Sequence, residues 1–393
     1  MIYIILNNSP KRGEGVEQVI KNLVINFSDP FKKKILLICN DLNESENFCF
    51  CGIKCVNLKT KRYNFLDRIL LLSRLSYSYK IYRFLKCNAN DKDVINVHGT
   101  EYLFFTGIFK KKIKKIKIIL TVHGSYFERY SKQFVGISLL RYLLLKFYLL
   151  FFGWYIFLIE KIAVKGADKF VFISEYFQNY YAENYKISQE NGVVIHNGIK
   201  RCEKIKNFKR KLSSKFDAII VGSAVFCKGL DIAIKVVEQI NKKGLSLNLN
   251  IVGFSDFYKY HKKEKVPHYL KYIGRISPEK MDFYYQKSDF LLFPSRYEGF
   301  PLVILEALGN GLPIIVSKIC KTNEIENHND FGYIIKDAHN ISEWVEVVEK
   351  MINLDTYNFF RKKINKHDFS KILWEDIARQ YENLLSSFEK VKI

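Results

Sequence analysis

Apolar runs and amphipathic stretches alternate along this chain in a rhythm that stops once and restarts. In the first half, residues 2–6, 34–39, 94–98, 116–122 and 169–173 are short, mostly apolar, and bounded by polar residues. Runs of this length and character predict strands buried on both faces. Stretches of helical character lie between them, such as residues 15–27. Strands that alternate with helices build βαβ units and a parallel sheet. A polar, basic stretch over residues 200–215 interrupts the pattern. The rhythm then resumes, with strands at residues 218–221, 247–252, 272–273, 290–293 and 313–316. Helices fall at residues 231–241, 278–286 and 301–308, and a last one at 374–388. The expected organisation is a domain over residues 1–200, a second over 201–370, and a terminal helical segment over 371–393. A chain of 393 residues exceeds one ordinary core and suits this division. The predicted class is α/β, with two doubly wound domains.

One region departs from the rhythm. Residues 147–159 carry no charge, are heavily aromatic, and have Arg141 and Lys146 before them and Glu160 and Lys161 after. A membrane-spanning helix needs roughly 20 apolar residues, whereas runs of about 10–14 belong to cores or interfaces. Two readings of residues 137–165 therefore stand: an interfacial helix, or a wholly buried core helix. Residues 110–117 hold six lysines in eight positions, which suits either attraction to anionic lipid or a solvated loop.

Composition adds a little. Lys and Arg number 63 against 40 Asp and Glu, an excess of +23 that favours an anionic partner. The abundance of Lys together with Ile, Asn, Phe and Tyr equally fits a compositional bias of the coding sequence. No nucleic-acid reader motif accompanies the charge, so nucleic acid is not expected. Eight scattered cysteines suit free thiols in a reducing compartment. Cys49, Cys51 and Cys55 form the one cluster, but with no CxxC pair and no nearby His they read as incidental, and no metal site is expected. The start, residues 2–6, has no basic n-region and reads as a first strand rather than a leader.

The chemistry concentrates in the second half. Glu298 and Glu306 stand eight positions apart around a Gly-Phe-Pro turn and the start of an apolar helix. The run before them ends at Pro294-Ser295, and the run after them closes on Gly311. Two acids thus sit at the carboxyl edge of a predicted parallel sheet, where open α/β folds bind ligands. Pro301 is placed at the first helical position, where its missing N–H loses nothing. The amides of this helix start can hold anionic oxygens. Upstream, Val221-Gly222 ends a strand and Lys228-Gly229 precedes a helix opening at Asp231. Gly222 allows close backbone approach, and Lys228 offers a point charge for a diphosphate. Glu306 can accept from vicinal hydroxyls of one sugar and Glu298 from another, with the diphosphate between them. That outlines a nucleotide-sugar.

The stretch from Glu298 to Glu306, with Pro294-Ser295 before and Gly311-Leu312-Pro313 after, resembles the E-x7-E signature of retaining GT-B glycosyltransferases, family 4 (glycosyl transferases group 1). Further elements resemble the family's in the same order: Gly15-Val16-Glu17, Thr121-Val122-His123-Gly124, Ala167-Asp168 with Phe172-Ile173-Ser174, Asn197-Gly198, Gly222 with Lys228-Gly229, and Ile273-Gly274-Arg275. The resemblance covers nearly the whole chain. It implies a GT-B fold, two Rossmann-like domains facing across a cleft. The N-terminal domain would take the acceptor and the C-terminal domain the nucleotide-sugar, with the last helix packing back on the N-terminal domain.

The resemblance also implies roles. Glu298, His123 and Lys228 would be catalytic: Glu298 at the donor sugar, His123 lining the reaction centre, Lys228 on the leaving diphosphate. Glu306 would hold the ribose. Gly222, Arg275, Ile276, Gly299, Phe300, Leu302 and Val303 would complete the donor site, and Gly15, Glu17 and Ser174 would face the acceptor. The implied reaction transfers a hexose or N-acetylhexosamine from a UDP-sugar, ahead of a GDP-sugar, with retention. It uses no metal and no cofactor, the nucleotide-sugar being a substrate. The implied acceptor is a glycan or lipid-linked glycan of envelope, capsule, lipopolysaccharide or O-antigen assembly. The expected location is cytoplasmic, peripheral on the inner face of the cytoplasmic membrane. Two departures stand out. Many relatives carry an Arg in the phosphate loop where Ser223 or Cys227 stands here, and the family's "NGvD" ends in Lys200. A nucleotide-sugar epimerase of the same fold and a non-catalytic membrane-associated scaffold are the alternatives. The former would lack the E-x7-E stretch in this form, and the latter would not need Glu298, Glu306, Lys228 and His123 together.

Overall fold

The computed structural model describes the chain apart from residues 13–14, 61–70, 110–115, 126, 129–152, 203–214, 256, 258–265, 322–323, 326–327 and 391–393. Its described residues fall into two compact units. One draws on Met1–Ser131, Leu139–Asn197 and Trp374–Ile393, the other on Gly198–Leu373.

The first unit is built on eight strands: β1 (Ile2–Ile5), β2 (Ile35–Cys39), β3 (Asn47–Phe50), β4 (Ile53–Asn57), β5 (Val94–His98), β6 (Lys117–Val122), β7 (Lys169–Phe172) and β8 (Gly192–Val194). Their order is β3-β4-β2-β1-β5-β6-β7-β8. All neighbours are parallel except the β3–β4 hairpin. Every residue of β1 and β5 is buried, as strands covered by helices on both faces must be. The helix Trp374–Lys390 belongs to this unit. It buries Ile377, Ala378, Tyr381 and Leu385 and lies against β5 and the helix Val16–Asn26. Its Glu382 accepts from the backbone N–H and the hydroxyl of Ser28, at 2.5 and 3.1 Å.

The second unit holds β9 (Lys215–Gly222), β10 (Ser246–Gly253), β11 (Leu270–Gly274), β12 (Phe290–Phe293), β13 (Ile314–Ser317) and β14 (Gly332–Ile335), in the order β11-β10-β9-β12-β13-β14. All are parallel. The chain winds one way from β9 and the other way from β12. These two strands are therefore the switch point, where the loops leaving their carboxyl ends part and leave a crevice. The first unit has its own reversal between β1 and β5.

The ten strands predicted from the pattern are present. β3, β4, β8 and β14 were not predicted. They lie at or beside sheet edges, and β3 and β8 have no fully buried residue, so their apolar signal is weak. Cys49 on β3 and Cys51 in the turn are exposed, Cys55 on β4 is buried, and all three are free thiols. Burial pushes the Cys55 thiol up to about 12.

Of residues 137–165, only 153–165 are described, and Trp154–Val164 form a helix. Ile156, Ile159 and Ala163 face inward, while Trp154 is 63% and Leu158 43% exposed. This part is therefore not a wholly buried core helix. The rest of the uncharged run, and Lys110–Lys115 of the lysine cluster, lie outside the described residues. No helix among the described residues is long and apolar enough to cross a membrane.

Candidate active site

In the second unit, the loops after β9 and β12 meet at the switch point. Two features lock them together, and a third shapes the loop after β9 itself. Gly229 has φ +70°, and a Cβ there would lie 1.9 Å from the Pro294 carbonyl oxygen, so only glycine fits. At Gly222 a Cβ would press on Lys228 Cγ at 2.8 Å, so this glycine admits the lysine stem. Arg296, nearly fully buried, forms a two-pronged pair with Asp231 at 2.7 and 2.8 Å. It also donates to the Phe226 carbonyl at 2.6 Å and stacks on the Phe226 ring at 4.0 Å. A planar guanidinium suits this fork-and-stack arrangement and lysine does not. Asp231 sits in the first turn of the helix Leu230–Lys242, so the clamp fixes the start of that helix as well.

Lys228 Nζ donates to Glu298 Oε1 at 2.6 Å. The two side chains are 24% and 7% exposed. Burial works against the lysine's charge, but the adjacent carboxylate outweighs it and holds the ammonium above its ordinary pKa. The Ser295 hydroxyl donates to the same carboxylate oxygen at 2.6 Å. The ammonium of Lys321, also buried, donates to the Glu298 backbone carbonyl.

Beyond this pair, the helix starts at Leu302. Pro301 is extended and occupies the capping position, one residue earlier than the sequence placed it. Of the other donor-site residues on this turn, Phe300 is buried while Gly299, Leu302 and Val303 are partly open. The Leu302 and Val303 N–H groups belong to the first turn, where no intrahelical acceptor exists.

Glu306, one turn further on, accepts from the Tyr285 hydroxyl at 2.8 Å. Burial raises its carboxyl pKa, Asp282 adds to this, and the Tyr285 bond and Lys200 oppose it. Asp282 pairs with Lys200 at 3.1 Å and accepts from Asn310 at 3.0 Å. The lysine that replaces the family's aspartate thus sits in the charge network of Glu306. Arg275 is exposed and Ile276 half-buried, both past the carboxyl end of edge strand β11, where Gly274 has φ +76°.

In the first unit, His123 ends the run that leaves β6 and lies beside His98 at the end of β5. Their rings stack at 5.1 Å between centroids, and His98 Nδ1 is 2.9 Å from His123 Nε2. Burial lowers the pKa of both, His123 to about 4, and His123 depresses His98 further. Gly15, φ +51°, opens the helix Val16–Asn26. Glu17 is buried in the first turn, accepts from Asn8 at 2.7 Å, and has its pKa raised by burial. Ser174 is fully buried and caps the helix Glu175–Tyr185 by accepting from the Phe177 N–H at 3.4 Å. Among the described residues no group of three or more His, Cys, Asp or Glu side chains is placed to hold a metal ion.

The geometry therefore joins Lys228 and Glu298 directly and sets Glu306 on the helix that follows. Arg296, Lys321 and Tyr285 were not singled out from the sequence, and Ser295 was read only as the residue that ends the strand before the two acids. The phosphate-loop arginine missing at Ser223 and Cys227 was the one sequence hint of a cation from elsewhere, and Arg296 holds the loop rather than replacing that arginine.

The family Glycosyltransferase Family 4 matches residues 14–201, and Glycosyl transferases group 1 matches residues 202–367. The chain belongs to the group 1, family 4 glycosyltransferases. An uncharacterised glycosyltransferase of Methanocaldococcus jannaschii is 26% identical over 324 residues, 79% of this chain and 81% of its own. The O-antigen biosynthesis glycosyltransferase WclY of Escherichia coli is 25% identical over 356 residues, 87% of each chain. Among solved structures, the HepE protein of Anabaena, in complex with UDP and glucose, superimposes with a TM-score of 0.68 at 15% identity, covering 98% of this chain and 99% of that one. The glycosyltransferase thus has the GT-B fold.

Proposed function

We propose that this glycosyltransferase moves a hexose or N-acetylhexosamine from a nucleotide-sugar, a UDP-sugar first, to a glycan or lipid-linked glycan acceptor in cell-surface polysaccharide synthesis. The observation that carries the donor half is the Lys228–Glu298 pair at the switch point of the second sheet. A diphosphate leaving group develops negative charge, and a preorganised ammonium in a sheltered site stabilises that charge without reorganising water. Glu298 keeps Lys228 charged and positioned until the diphosphate arrives, and then faces the sugar hydroxyls. The first-turn amides of Leu302 and Val303 add donors for phosphate oxygens. Glu306, steadied by Tyr285, accepts from the ribose hydroxyls.

Because Lys228 offsets the diphosphate charge, the reaction on this reading proceeds without a metal and without a cofactor. Retention at the transferred carbon is carried over from the family resemblance. The UDP-sugar assignment draws support from the nucleotide bound to the Anabaena protein, and the acceptor class from the named O-antigen role of WclY. Exposed Trp154 and Leu158 and the +23 charge support peripheral attachment to an anionic membrane surface, on the cytoplasmic side.

The test is a donor screen that reads released nucleoside diphosphate, with and without EDTA, followed by NMR of the anomeric product. UDP release that survives EDTA, and a product keeping the donor's anomeric configuration, are expected. A UDP-sugar converted to another UDP-sugar without release identifies an epimerase. No turnover and no UDP binding identifies a scaffold. Co-sedimentation with phosphatidylglycerol vesicles at low salt tests the membrane surface, and a protein that stays in solution overturns that part.

A further inference from the structure

Behind His123 the first unit holds a buried polar chain that the donor-site account does not use. His98 is almost fully buried. Its Nε2 lies 2.7 Å from Asn96 Oδ1, and its Nδ1 2.9 Å from His123 Nε2. Asn96 is itself oriented: its Nδ2 donates to Thr121 Oγ1 at 2.9 Å and to the Ile119 carbonyl at 3.4 Å. A carbonyl only accepts, so the amide nitrogen faces β6 and the amide oxygen faces His98. On the other side, Tyr381 of the helix Trp374–Lys390 stacks on the His98 ring at 6.4 Å and 22°.

This fixes the protons. Asn96 Oδ1 requires a donor, so His98 carries its proton on Nε2. Burial keeps the ring neutral, so His98 Nδ1 is bare and accepts. His123 then carries its own proton on Nε2 and donates it to His98. The remaining nitrogen, His123 Nδ1, is left as an acceptor. Which nitrogen of a histidine is free for chemistry is set by the hydrogen bond that the other makes.

We propose that His98, oriented by Asn96 and covered by Tyr381, is a positioning residue that fixes the ring and tautomer of His123, so that His123 presents a bare Nδ1 able to accept from a substrate hydroxyl and unsuited to a phosphate oxygen. The part concerning substrate rests on the proposed glycosyl transfer, whereas the tautomer does not.

The test compares wild type with His98→Leu and His98→Asn in the full chain. The asparagine sets an amide oxygen where Nδ1 stood and so keeps an acceptor for His123; the leucine removes it. Long-range proton–nitrogen NMR spectra of the histidines are recorded beside kcat and KM for the donor, with His123 assigned by its loss in His123→Gln. The expected wild-type spectrum shows His123 protonated at Nε2 alone. His98→Leu gives mixed His123 tautomers and a kcat lower by about tenfold or more, with KM changed far less, since a displaced catalytic group affects the chemical step. His98→Asn restores the single tautomer and much of kcat. His123 protonated at Nδ1 in wild type, or an unchanged tautomer and kcat in a folded His98→Leu, overturns the proposal. If leucine prevents folding, the wild-type spectrum and the His98→Asn variant decide it. Full turnover in His123→Gln, with the wild-type tautomer as stated, overturns the catalytic reading of His123 and leaves the tautomer assignment standing.

Discussion

The Lys228–Glu298 pair makes a double-mutant cycle informative. Lys228→Met leaves a carboxylate that is only 7% exposed with Ser295 as its remaining side-chain partner. Removing one member of a fully buried pair destabilises by about 3–5 kcal/mol, and a hydrogen bond to a charged group contributes about 1.5–3 kcal/mol. Lys228 retains 24% exposure, so water screens part of the attraction and the lower figure applies, about 2–3 kcal/mol. Glu298→Gln is milder, about 1 kcal/mol, because the partly exposed ammonium can turn to water while the amide still accepts from Ser295. Lys228→Met/Glu298→Gln should destabilise by less than the sum of the two, a coupling of about 1–2 kcal/mol. The assay is urea unfolding of the transition that responds to UDP, with and without the nucleotide. Wild type should gain about 2.7 kcal/mol at a UDP concentration 100 times Kd, and Lys228→Met should gain far less at the same concentration. Additivity of the two single changes within about 0.5 kcal/mol refutes the coupling. An undiminished UDP effect in Lys228→Met refutes the lysine's role in holding the diphosphate.

Three further outcomes are expected. Burial raises the Glu306 carboxyl pKa, so the folded protein holds that proton to higher pH than the unfolded chain, and stability is lost as pH rises through the ordinary value of 4.5 towards the folded value. Glu306→Gln should therefore raise Tm at neutral pH, with the gain vanishing well below pH 4.5, and should weaken UDP binding by calorimetry. Gly229→Ala should lower the stability of the second unit by about 2–4 kcal/mol, since it combines strain at φ +70° with a backbone clash, and thermal unfolding measures it. Arg296→Lys should lose the two-pronged Asp231 pair and the Phe226 stack, lowering Tm and raising the donor KM together, because it loosens the loop that carries Lys228.

The division of sequence-readable from unreadable features follows from range. Strands buried on both faces, such as β1 and β12, announce themselves as apolar runs, and Gly222, Gly229, Glu298 and Glu306 sit in local motifs whose spacing has a chemical reason. The edge strands β3 and β8 bury little and carry no comparable signal. The Arg296 clamp joins residues 65 and 70 positions apart, and nothing local to Ser295-Arg296 reveals it. His98 closes the strand predicted over residues 94–98, but its link to His123 appears only when β5 and β6 are paired. Ser174 shows the reverse. It belongs to a motif, and in the fold its hydroxyl is engaged in capping a helix.

The central claim is that Lys228 and Glu298 form the diphosphate end of a nucleotide-sugar site. It is tested most directly by nucleoside diphosphate release from the donor that wild type turns over, measured in Lys228→Met with its unfolding profile as a control. The account predicts a folded variant with release reduced by about a hundredfold or more, as for loss of one preorganised charge-stabilising group. A folded Lys228→Met that releases the diphosphate at the wild-type rate contradicts it.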